Sequence, residues 1–65
     1  MKFAVIHCSN GVFTIDSEWT DAKISAIVNF HTVCTTLWSA EDVEKAAVIL
    51  VNEKFETLKI EYVKY

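Results

Sequence analysis

Residues 39–51 read Ser39-Ala40-Glu41-Asp42-Val43-Glu44-Lys45-Ala46-Ala47-Val48-Ile49-Leu50-Val51, and the fold turns on whether they are helix or strand. Ser39 with Asp42 three residues on resembles a capping box, and Val43, Ala46, Ala47, Leu50 and Val51 fit helical spacing. Against this, Val48-Ile49-Leu50-Val51 is a run rich in β-branched residues, and Asn52-Glu53-Lys54 follows where a turn belongs. A strand starting near Ala46 also has a partner in residues 56–65, where Leu58, Ile60 and Tyr62 alternate with Thr57, Lys59 and Glu61. The preferred reading is one helical turn at residues 40–44 and then a hairpin. The competing reading is a second helix over 40–53, which gives a ββααβ order.

The N-terminal part needs less arbitration. Residues 2–8 form a short aromatic and β-branched run closed by Ser9-Asn10-Gly11. Asn-Gly between two such runs is the strongest local hairpin signal, because both residues tolerate the positive φ that tight hairpin turns require. Gly11 is the only glycine of the chain, and residues 12–15 read as the return strand. From about residue 18 to 38 the period becomes helical, with Ser17 or Thr20 as cap and Glu18 and Asp21 near the positive end. Ile24, Ile27, Phe30, His31, Cys34, Leu37 and Trp38 share one side, and Asp21, Ser25, Asn29, Thr32 and Thr36 the other. Ala26 and Val33 widen the apolar arc to roughly 220°, whereas a helix covering one sheet needs a stripe of only ~100–150°.

These elements assemble into a small α+β domain spanning residues 1–65. It has a four-stranded antiparallel sheet, ββαββ with strand order 2-1-3-4, and one long helix on one face. The first and third strands are apolar on both faces, which suits the middle of a sheet, while the second and fourth keep polar positions suited to edges. One helix covers one face only. The other would show Val, Ile and Ala to water.

Several classes of function are excluded. Six Lys against nine Asp/Glu, with no arginine, give a net charge of −3. The lysines are dispersed, so no phosphate-binding surface is expected and no nucleic-acid partner. Phe3-Ala4-Val5-Ile6 is too short for a signal-peptide core, and no apolar run reaches the ~18 residues of a membrane span. With two cysteines and no export signal, reduced thiols and a cytoplasmic location are expected. One glycine leaves no phosphate-cradling loop, and a lined cavity would consume much of so small a core, so neither catalysis, a cofactor nor a small-molecule substrate is expected.

Metal-type residues are His7, Cys8, His31 and Cys34. His31 and Cys34 are an i, i+3 pair on the helix, and His7-Cys8 would complete a tetrahedral set. Adjacent strand residues point to opposite faces, however, and Cys34 lies mid-arc, where a free thiol acts as a small hydrophobe. Most of the aromatics (Phe3, Phe13, Trp19, Phe30, Trp38, Phe55, Tyr62, Tyr65) are read as core. Trp19, Trp38 and Tyr65 are the partly exposed ones, which with Ile49 and Val51 on the second face of the third strand form the interface candidates. The expectation is a non-catalytic protein–protein interaction module that self-associates through an apolar sheet or helix face. The alternatives are an inhibitor or adaptor docking on a larger protein, and a metal or thiol site using His31 and Cys34.

Overall fold

A computed structural model of the 65-residue chain describes residues 1–16 and 19–65. Four strands and one helix follow in the order β1 (Phe3–Ser9), β2 (Val12–Ile15), α1 (Lys23–Ser39), β3 (Ala46–Asn52) and β4 (Thr57–Lys64). The sheet runs β2-β1-β3-β4 with every neighbouring pair antiparallel. Residues 46–52 are therefore strand, and the ββαββ order holds. The first turn is built as its chemistry requires, with Asn10 at φ 50° and Gly11 at φ 86°. In β1 and β3 the middle pair is Ile6–Ile49. Register shifts next to Ala46 and Leu50 twist β4 against β3 at both ends.

Helix α1 packs on β1, β3 and β4. Its buried residues Ala26, Phe30 and Leu37 sit over Phe3, Val5, Ala46, Val48, Leu50 and Val63, with Ile27, Val33 and Cys34 packed against the margin. The core is thus a single layer between helix and sheet, and Lys59 lays its ammonium 5.4 Å from the Phe30 ring centre along one side of it.

Three local expectations change. The helix begins at Lys23 rather than near residue 18, because Thr20 is held in a bridge with Phe3, its N–H and C=O both bonded to that residue's backbone. Thr20 therefore does not cap the helix. Ala22 stands at the N-cap, with no side-chain cap bond. Ser17 and Glu18, proposed for the helix start, lie outside the described residues. Residues 40–44 form a turn instead of a helical turn, since their backbone groups are bonded to distant side chains. Lys64 donates to the Ala40 and Val43 carbonyls. Asn10 Nδ2 donates to the Asp42 carbonyl, and Asn10 Oδ1 accepts from the Glu44 and Lys45 N–H groups. The aromatic expectation also changes. Phe3 and Phe30 are core and Trp38 is exposed as expected, whereas Phe13, Phe55 and Tyr62 are each more than 60% exposed.

Candidate functional site: the open sheet face

Period-two alternation divides the sheet's side chains into two sets, and the pairing shows which residues share a face. Val5 pairs with Leu50 and Val48 with Glu61, so these face the helix together with His7, Thr14 and Lys59. Facing away are Ala4, Ile6 and Cys8 of β1, Phe13 and Ile15 of β2, Ala47, Ile49 and Val51 of β3, and Leu58, Ile60 and Tyr62 of β4. None of these carries a charge.

The phase of the outer strands is the informative feature. In a sheet with one wet face, polar residues point to water and apolar ones to the helix. Here β2 and β4 do the reverse: Thr14, Asp16, Lys59 and Glu61 take the helix-side face, where α1 packs on β4 but not on β2, while Phe13 (70% exposed), Ile15 and Ile60 point to the uncovered side. A one-residue slip would exchange the two sets. That register is excluded by the Asn10-Gly11 turn, which fixes Ser9 opposite Val12. The total surface, 4449 Å², is close to the roughly 4,200 Å² expected of a monomer of this mass. What is unusual is therefore the chemistry of one face and not the amount of surface.

The face is not flat. At one end Trp19 precedes Thr20, the partner of Phe3, and so lies across from Ala4 on the open side. Its ring meets Phe55 edge-on, with centroids 5.7 Å apart and planes at 87°. At this end Ala4 (0% exposed) and Val51 (4%) are buried although no helix covers them. At the other end the floor consists of the small side chains of Cys8 and Ala47. Tyr62 and Tyr65 bound it to form a shallow hollow of about 330 Å³, with Gly11 and Lys45 also on its rim.

The interface candidates therefore divide. Trp19, Ile49 and Val51 belong to the open face, and Tyr65 (97% exposed) stands at its rim. Trp38 is on the helix side, beside Cys34 and Glu61. The metal-type residues are split as well. Cys8 is on the open face, His7 on the helix side of β1, and His31 is exposed on α1. Among the described residues no three His, Cys, Asp or Glu side chains come together as a metal cluster. Burial, helped by the Glu61 carboxylate, pushes the Cys34 thiol above its ordinary range against the opposing pull of Lys59. A thiol kept protonated is a poor ligand and a poor nucleophile.

Sequence reading missed one pair. His7 Nδ1 donates to the Asp16 carboxylate at 2.6 Å, with both side chains under one-fifth exposed. The signal was present: a tight turn at Asn10-Gly11 sets His7 opposite Thr14 and places Asp16 on the same face, diagonal to His7. The pair ties the end of β2 to β1 on the helix-side face, at the edge that α1 does not reach. No helix of the described residues is long and apolar enough to cross a membrane. Compared with protein-family models, with curated proteins and with solved structures, the chain matches none of them.

Proposed function

We propose that this protein is a non-catalytic interaction module that self-associates, its open sheet face covered by the same face of a second copy. The observation that carries this reading is the phase of β2 and β4, which turn Phe13, Ile15, Ile60 and Tyr62 away from α1. Burying those side chains against another sheet recovers the hydrophobic free energy that the monomer leaves unused.

Size supports a second copy as the occupant. Strands of seven, four, seven and eight residues at about 3.4 Å per residue and roughly 4.8 Å spacing make a face of about 420 Å². Two such faces bury about 840 Å², and the relief of the aromatic wall adds to this toward the ~1,000 Å² at which specific interfaces begin. The strand residues of the face carry no charge for a charged partner to pair with, whereas its own copy matches it in extent and polarity.

Sedimentation at tens of micromolar tests the proposal, with a dimer expected. Ile49→Asp, in the middle of the face and away from the helix core, should give a monomer whose helical circular dichroism is unchanged. A wild-type chain that remains monomeric at hundreds of micromolar overturns self-association and leaves the face to a different protein, as an adaptor or inhibitor would use it.

A further inference from the structure

We propose that the two copies pack sheet on sheet about a two-fold axis running across the strands, so that the Trp19–Phe55 wall of each copy seats in the Cys8–Ala47 hollow of the other. The inference rests on the self-association proposed above and adds the orientation of the partner and the contact that fixes it.

The relief of the face selects the axis. Ile6–Ile49 is the middle pair of the two central strands. The wall stands about two residues from it in one direction, beside Ala4 and Val51, and the hollow floor lies two residues away in the other, at Cys8 and Ala47. Two axes stack a sheet on its own copy with the strands nearly aligned. An axis along the strands sets wall on wall, holding the sheets apart, and hollow on hollow, leaving a void. Such a void forfeits the dispersion contacts that interfaces of interior-like density depend on. An axis across the strands inverts the strand direction of one copy and brings each wall over the partner's hollow. The same operation lays β2 over β2 and β4 over β4, so Ile15 and Ile60, level with the Ile6–Ile49 pair, cover their own copies. Charge agrees with shape. Lys45 lines the hollow with no Asp or Glu side chain beside it, while the turn below the wall carries Glu53 and Glu56 against the single Lys54.

The two axes separate by cross-linking. With the axis across the strands, the two Cys8 residues lie at opposite ends, about 14 Å apart along the strands. With the axis along them, they face each other across the sheet spacing of about 10 Å. In a Cys34→Ala background, which removes the thiol on the helix side, a short bismaleimide should link Phe55→Cys to Cys8 of the second copy. The yield should be at least tenfold that of the Cys34→Ala chain itself or of Phe55→Cys combined with Cys8→Ser. Trp19→Cys, from the other half of the wall, repeats the test if Phe55→Cys sediments as a monomer. A dimer that links Cys8 to Cys8, links position 55 to position 55, or links through none of these thiols overturns the orientation while self-association stands. A wild-type chain that does not dimerise removes both proposals.

Discussion

Asn10 does two jobs at once. It takes a left-handed φ of 50° in the first turn, and its amide reaches 3.0–3.2 Å to the Glu44 and Lys45 N–H groups and the Asp42 carbonyl, more than thirty residues away. Asn tolerates αL because its short polar side chain bonds locally or across a turn. Asn10→Ala should therefore destabilise the chain by about 1–2 kcal/mol, combining lost exposed hydrogen bonds with a backbone penalty. Asn10→Gly should cost about half as much, because only the bonds are lost; urea unfolding of the two variants measures the difference. Cys34 gives a second residue-scale prediction. Its folded-state pKa is raised by burial and Glu61, so above the ordinary thiol pKa the unfolded chain gives up its proton first. The stabilisation is complete at neutral pH and declines as pH rises past the ordinary thiol range. The wild type should lose more stability between neutral and strongly alkaline pH than Cys34→Ala does, and equal slopes in the two chains would contradict this.

At the scale of the element, α1 is held by packing rather than by its ends. It has no side-chain cap at Ala22, no acidic residue in its first turn and no basic residue in its last. Thr32, Thr35 and Thr36 turn their hydroxyls back to carbonyls four residues earlier, which slightly disfavours a helix. Ala22 already has the extended backbone of an N-cap, with φ −86° and ψ 100°. Ala22→Asp should accordingly stabilise by about 0.5–1.5 kcal/mol, readable as a higher urea midpoint; a lower midpoint would mean that the Thr20 hydroxyl, which accepts from the Ala22 N–H, matters more than the cap. This helix also shows what sequence could and could not reveal. The Phe30–Leu37 part of its buried stripe, without the exposed Ile24 and His31, the Asn10-Gly11 hairpin and the strand at Val48–Val51 were legible, because each is fixed by local period or turn chemistry. Its start was not, because Thr20 belongs to a backbone pairing with Phe3, and such a contact leaves no periodic trace. The phase of β2 and β4 was also hidden. Alternation tells that Phe13 and Thr14 take opposite faces, but only the side on which α1 crosses decides which face is wet.

For the whole molecule, the proposed dimer makes folding and association one equilibrium. A one-layer core over a sheet of four strands stabilises a 65-residue chain only modestly, since so small a domain buries only about 60% of the surface its unfolded chain exposes. Covering the second face supplies a second apolar layer, and the sandwich then becomes helix, sheet, sheet, helix. If native dimers unfold to separate chains, mass action ties the transition to concentration: a tenfold increase stabilises the dimer by about 1.4 kcal/mol, or about 0.7 kcal/mol per chain. For a domain of this length that shift corresponds to a rise of about 3–6 °C in Tm. The wild type should show it across the micromolar to hundred-micromolar range, and Ile49→Asp, whose single charge breaks the face, should melt at a lower temperature that does not move with concentration. A wild-type Tm independent of concentration would mean that the monomer carries all of its own stability, and the outward-turned Phe13, Ile15 and Tyr62 would then need an explanation other than a second copy.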